Sequence, residues 1–228
     1  MRGLHEVESP LARTDTARTN TQATPRTAKG AATRVKLLRA AETVFGDVGF
    51  DRARVADIVA AAGVSHGLFY KYFSDKAEIL SAVLALQNDG LRHTTGRIAG
   101  EARVPTLAQL ETRNILFFKE YAEHRRLFRV SREAAARSDD NGFRSQWLNI
   151  RGRFTQRTLR WVEELVAGRH IPPVADPAML AEALSAMVEQ MAYVNVGLAE
   201  TDPEDAELER MGKVCGLIWY RSIFGTAN

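Results

Sequence analysis

The chain has 228 residues, 45% of them hydrophobic, which suits one large domain or a small one joined to a larger one. Its single cysteine, Cys215, excludes a disulfide framework and a cysteine-rich metal site, and its short apolar runs exclude a membrane-spanning helix. Net charge is +3, but residues 1–76 carry 12 Lys+Arg against 8 Asp+Glu and residues 77–228 carry 19 against 20, so the positive excess lies in the first third, the sign suited to approaching phosphate.

Residues 1–30 are rich in Thr, Ala and Arg, with Pro10 and Pro25, and bury too little apolar surface to order themselves. They read as a disordered basic tail. Arg26, Lys29 and Arg34 form a candidate arm along DNA, against the plainer reading of a solvated tail. The N-terminus lacks an apolar h-region, which points away from export and toward a reducing cytoplasm. Leu37, Ala41, Val44, Phe45 and Val48 make one apolar stripe and predict a helix from Thr33 to Asp47, with Gly49 supplying the left-handed turn that stops it. Val55, Ile58, Val59 and Ala62 then recur at helical spacing. Gly63 breaks that helix and Ser65 caps the next, which runs to about Phe73 with Phe69 and Phe73 on its apolar side. This is a helix-turn-helix pattern, in which the second helix enters the DNA major groove. Ser74 is the expected N-cap of a joining helix that continues past Leu86 to about Ile98.

The pattern stays helical beyond this point: Pro105 to Tyr121, His124 to Arg137, and Asn141 to Gly168. Ile171-Pro-Pro-Val is loop chemistry. Asp176-Pro177 reads as an N-cap followed by proline at the first helical position, and Thr201-Asp202-Pro203-Glu204-Asp205 as the same device again. No segment alternates with period two. The expected fold is all-α. An N-terminal three-helix helix-turn-helix DNA-binding domain (31–78) precedes a larger C-terminal helical domain (79–228), to which the resemblance named below assigns effector binding and dimerisation.

The candidate DNA contacts follow from position. The N-terminus of the recognition helix, at Ser65, offers backbone N–H groups to a phosphate, and Gly67 lets the backbone come close. His66 is the first candidate for reading a base edge and Lys71 the second, while Arg54 grips the backbone or reaches a guanine. Ala40-Ala41, Phe45, Gly49-Phe50, Val55, Asp57-Ile58, Ala62-Gly63-Val64-Ser65, Gly67, Phe69-Tyr70, Tyr72-Phe73 and Lys76 together resemble the TetR family of bacterial transcriptional repressors. The resemblance implies that Tyr70 and Lys76 hold phosphate, that the chain pairs through its last two helices, and that a small-molecule cavity lies among the middle helices. Two residues depart from the family pattern: Arg54 stands where Thr is usual, and Leu68 where a small residue is usual. Both touch the DNA face, so no operator sequence transfers.

The penultimate helix carries Leu180, Leu184, Met187, Met191, Val194 and Leu198 at alternating spacings of four and three. The last carries Leu208, Met211, Cys215 and Ile218, and also Val214, Leu217 and Trp219, so it is apolar on more than one face. A second apolar face calls for a partner chain or a central place in a monomeric core. We take Leu180, Leu184, Met211, Val214, Leu217 and Ile218 as the candidate interface of a two-fold four-helix bundle. Phe143, Trp147, Ile150, Phe154 and Trp161 share a face of the long helix. Such stripes are ordinarily plain core. With the cavity that the resemblance implies, Phe117, Tyr121, Trp147, Arg151, Phe154, Met187, Gln190 and Met191 become the candidate lining for a hydrophobic effector, with Glu189 and Asn195 beside them. Arg153, Arg157 and Arg160 read as a solvated face.

Gly63-Val-Ser65-His-Gly67 matches the G-x-S-x-G nucleophile elbow, but that elbow needs a strand before it, and Ala56 to Ala62 is a helical run. The five histidines are scattered without metal-ligand spacing, and no phosphate-binding glycine loop occurs. We therefore expect no enzyme, cofactor or metal. The expected protein is a homodimeric DNA-binding regulator of the bacterial cytoplasm, nucleoid-associated when bound, and a repressor released from a palindromic operator by a hydrophobic effector. The alternative is a helical small-molecule-binding protein without DNA function.

Overall fold

The computed structural model describes residues 28–95, 104–137 and 143–225. In chain order the helices are α1 (Ala28–Arg52), α2 (Val55–Ala62), α3 (His66–Phe69), α4 (Lys76–Thr95), α5 (Leu107–Glu123), α6 (Arg125–Arg137), α7 (Phe143–Ala167), α8 (Pro177–Ala192) and α9 (Asp205–Phe224). A π-helical stretch, Tyr193–Gly197, extends α8. Among the described residues there is no strand, and no helix is long and apolar enough to cross a membrane.

Helix ends follow local chemistry, with three corrections. First, α1 begins at Ala28 and not at Thr33; its regular helix is interrupted at Gly49 (φ 78°, ψ 166°) as expected, and one further short turn reaches Arg52. That backbone region is open to glycine and strained for other residues. Lys29 and Arg34 are therefore helical, and the Arg34 guanidinium lies 5.5 Å over the Phe73 ring instead of forming an arm. Arg26 and the rest of the tail lie outside the described residues. Second, Asp75 and not Ser74 caps α4, its carboxylate accepting the Glu78 N–H at 2.8 Å, while the Ser74 N–H and hydroxyl donate to the Glu78 carboxylate. Third, Asp202 caps nothing: it pairs with Arg125 at 2.8 Å, and α9 starts at Asp205. The other caps form as expected, with Asp176 accepting the Met179 N–H at 2.8 Å ahead of Pro177.

Two cores share the helices. Phe45, Ile58, Phe69 and Phe73 centre the first, which α6 closes with Leu127, Val130 and Ala134, and Phe143 stacks on Phe50 at 5.9 Å. The helix-turn-helix unit thus borrows its lid from the second half of the chain. Phe118, Phe154, Val188 and Leu208 belong to the second core, built mainly from α5, α7, α8 and α9. The aromatic stripe of α7 is divided between them: Phe143 belongs to the first, Phe154 to the second, and Trp147 packs on both. Helix α4 also spans the two, with Ile79, Leu80 and Val83 in the first core and Leu84 in the second.

The most extensive helix pair is α5 with α9. Gly212 and Gly216, one turn apart on α9, face the α5 backbone. A Cβ on Gly216 would lie 2.6 Å from the Glu111 backbone, and one on Gly212 2.6 Å from the Ile115 Cα. One apolar face of α9 is therefore consumed inside the chain. Two expected interface residues go with the second core, Met211 (6% exposed) and Leu184 (4% exposed on α8), while Leu180 and Leu217 are half-buried. Val214 (46%) and Ile218 (39%) keep the other face open. Cys215 is fully buried, burial pushes its thiol up to about 11, and its sulfur lies 3.4 Å from that of Met191, as befits a core residue.

Candidate functional site

The turn between α2 and α3 is built by Gly63, whose φ of 64° and ψ of 40° lie in the left-handed region. Its N–H bonds to the Ala60 carbonyl at 3.2 Å and that of Val64 to Val59 at 3.0 Å, which closes α2. Ser65 then starts α3, its hydroxyl accepting the Leu68 N–H at 3.3 Å. The recognition helix is shorter than expected. Regular α-helix ends at Phe69, and the Tyr72 N–H bonds to the Phe69 carbonyl at 2.9 Å, tightening the next residues into turns. Phe69 and Phe73 are fixed in the first core. The polar residues between them are left outward.

Arg54, Ser65, His66, Gly67, Tyr70 and Lys71 are all exposed. Tyr70, 58% exposed, meets Phe69 edge-on at 5.3 Å, so its ring base is braced and its hydroxyl end is outside. Nothing lies within 4 Å of the space a Cβ on Gly67 would fill. Arg54 precedes α2, its N–H held by the Asp57 carboxylate at 2.9 Å. Lys76 departs from the expectation. Its ammonium donates to the carbonyls of Phe50 (2.9 Å), Asp51 (3.2 Å) and Ala53 (3.3 Å) and sits 4.5 Å over the Phe50 ring. All three of its donors are engaged at the end of α1, so it clamps the unit and is not free for phosphate. The G-x-S-x-G match also lacks its geometry, because a helix and not a strand precedes Ser65.

A cavity of about 420 Å³ opens among α4 to α8. Six of the eight expected residues line it: Phe117, Tyr121, Trp147, Arg151, Phe154 and Gln190. Met187 and Met191 do not, being packed against the second core, and Asn195 is exposed with its amide on the Met191 carbonyl. The cavity's arginines are already hydrogen-bonded. Arg151 donates to Glu189 at 2.7 Å and to Glu182 at 2.6 Å, and Arg132 donates to Gln190 at 2.7 Å while lying 4.1 Å over the Tyr193 ring. Burial holds the Glu189 carboxyl above its ordinary value although Arg151 pulls the other way, whereas the hydrogen bond from Arg151 lowers Glu182. A second cavity, of about 800 Å³, lies on the other side of Phe117 and Phe154. Arg113 and Arg157 line it, and sequence reasoning missed both. Arg157 stands three residues after Phe154 and four before Trp161, so it shares their face, a spacing that was readable. Nothing local marked Arg113.

Helix α1 is tied to the body by Glu42, whose carboxylate meets His124 Nδ1 at 2.8 Å and both of whose oxygens accept from Gln87 at 3.1 Å. The hydrogen bond to Glu42 raises His124 above its ordinary 6.5, and the same bond lowers Glu42 below 4.5. The histidine's share of stability is full below 6.5 and fades as pH rises through its raised value; the carboxylate's is full above 4.5 and fades as pH falls through its lowered one. Glu42→Gln is therefore expected to cost most stability between these two values and progressively less at alkaline pH, as read by urea denaturation across a pH series. A cost that does not vary with pH would show that the bridge is not ionic. Glu120, Glu123 and His124 also bring ligand-type atoms within 4.8 Å of one another.

Residues 37–83 match the family model described as bacterial regulatory proteins, tetR family. The HTH-type transcriptional regulator YvdT of Bacillus subtilis is 40% identical over 65 residues, 28% of this chain and 32% of YvdT. Over this segment the chain is similar to the TetR family. TtgR of Pseudomonas putida, also an HTH-type transcriptional regulator, is 30% identical over 99 residues, 43% of this chain and 47% of TtgR. The chain thus aligns with less than half the length of either relative. The fold match is longer: FadR of Bacillus subtilis, solved in complex with stearoyl-CoA, superposes with a TM-score of 0.67 at 17% identity, over 85% of this chain and 99% of that one. At that identity the superposition shows the TetR-family fold alone. The family and these relatives are regulators and not enzymes.

Proposed function

We propose that this protein is a sequence-specific DNA-binding transcriptional regulator, a homodimeric repressor of a palindromic operator released by a small hydrophobic effector. The observation that carries the reading is the exposed set Ser65, His66, Gly67, Tyr70 and Lys71 on and just beyond the short helix α3, anchored from beneath by Phe69 and Phe73, with exposed Arg54 at the start of α2. A rod of this kind, polar outside and fixed inside, suits a major groove. Tyr70 and the α3 N-terminus position the backbone, and His66 and Lys71 read bases. Pairing is supported by Val214 and Ile218, one turn apart on the face of α9 turned away from α5. One recognition helix covers too few base pairs to select a site in a genome, and two-fold pairing doubles the reading.

Release follows as a population shift, in which the effector prefers the conformer whose recognition helices are misplaced for DNA. Two elements support this coupling. Leu84 of α4 and Trp147 of α7 both line the smaller cavity, and α4 and Trp147 also pack in the first core. A ligand between them presses on parts that also hold the helix-turn-helix unit.

The test is a gel-shift series with the palindrome recovered by selection from random DNA, at several salt concentrations. The wild type is expected to form a salt-sensitive complex with the whole palindrome and a much weaker one with a half-site. Tyr70→Phe is expected to weaken all sequences alike, and His66→Ala to relax preference at one position by roughly 1–3 kcal/mol. No selected sequence, or a complex indifferent to salt, would leave a small-molecule-binding protein without DNA function.

A further inference from the structure

We infer that the larger cavity is a second ligand site, for a flat, uncharged aromatic molecule that offers a hydrogen-bond acceptor to the Trp219 indole. The effector reading above rests on the smaller cavity, and this site does not depend on it. At about 800 Å³ the chamber is within the range of small-molecule sites. Phe117, Phe154, Trp161 and Trp219, with Leu110 and Val188, give it apolar walls. Trp161 and Trp219 lie 6.4 Å apart with only 21° between their planes, a face that suits a flat ring. Trp219 is 8% exposed, and its indole N–H is buried without a hydrogen-bond partner. Nearly all buried donors in folded chains find an acceptor, and one left unmade is costly. An indole only donates, so a ligand that satisfies it must bring an acceptor, such as a ketone oxygen. The charged residues of the lining do not select an ion. Arg113 and Arg157 already interact within the chain, and Arg160 and Glu164 are exposed and of opposite sign. An ion entering beside the tryptophans would lose its water without a free buried partner.

The test is equilibrium dialysis of the full chain, in excess, against 9-fluorenone, fluorene and carbazole. These are flat molecules of one shape whose bridging group is a carbonyl, a methylene or an N–H donor. Water solvates the ketone better than the methylene, so hydrophobic transfer by itself ranks fluorene above fluorenone. Fluorenone is nevertheless expected to bind at least about fivefold tighter than fluorene, the scale of one hydrogen bond, and carbazole no tighter than fluorene. Trp219→Phe keeps a ring and removes the donor, and is expected to bring fluorenone down to fluorene or below while fluorene stays bound. Of the two chambers, exposed Ala167 lines only the larger and Ala186 only the smaller. Ala167→Trp is expected to weaken fluorenone, and Ala186→Phe to leave it unchanged. Fluorene matching fluorenone on the wild type, or a preference that survives Trp219→Phe, would overturn the inference. A loss confined to Ala186→Phe would place the probes in the smaller cavity, overturning this site and leaving the effector reading in force. No binding of any probe would also overturn the site, without touching that reading.

Discussion

Gly216→Ala is expected to lower stability by about 3 kcal/mol, the upper range for overpacking, and the melting temperature by roughly 6–12 °C for a chain of this size. The added methyl would lie 2.6 Å from the Cα and N of Glu111 and 2.9 Å from the Leu110 carbonyl carbon. All three are backbone atoms of α5, so no side chain can swing away. Relief requires α9 to move off α5, and that separates the most extensive helix pair in the fold. Gly152→Ala, in mid-α7 with nothing within 4 Å of the new methyl, is the control of opposite sign, expected to stabilise slightly through helix propensity. Thermal melts followed by circular dichroism read both. A Gly216→Ala melt within about 2 °C of wild type would mean that the seam is looser than its distances indicate.

The second large effect is at Lys76. Removing its ammonium deprives three carbonyls at the end of α1 of their donor and the Phe50 ring of its cation. Lys76→Ala is expected to cost about 2 kcal/mol, in the range for hydrogen bonds to a charged group. The loss should fall on the helix-turn-helix unit, since Phe50 and Ala53 are part of its core. The salt slope of operator affinity, measured well below the melt, should not change, because no phosphate contact is lost. A slope reduced by about one with an unaltered melt would place this ammonium on DNA and refute the clamp. The same substitution thus separates a structural from a recognition role.

What the sequence carried locally is visible around residue 63. Glycine at a left-handed turn, serine at the next cap and two phenylalanines one turn apart each act within a few residues, and all are where their chemistry places them. The same holds for the caps at Thr106 and Asp176. The fold class and most helix limits follow from such short-range terms. The aromatic face of the smaller cavity was also legible, because Phe117, Tyr121, Trp147 and Phe154 announce themselves by size and spacing.

Other decisions belonged to the tertiary structure. Periodicity says that a face is apolar and not what covers it. The α9 helix reads as two-faced, and only its approach to α5 shows that Met211 faces inward while Val214 and Ile218 face outward. The single stripe of α7 serves two cores because α1 and α6 meet its beginning and α5 meets its middle. The partners of Lys76 lie more than 20 residues back along the chain, so its basic character suggested phosphate until the carbonyls were seen. Short-range hydrogen bonds and steric limits are written in neighbouring residues, and these the sequence by itself determined. Which surfaces meet depends on contacts between distant segments, so only the folded chain decided which charges are engaged and which apolar face stays open.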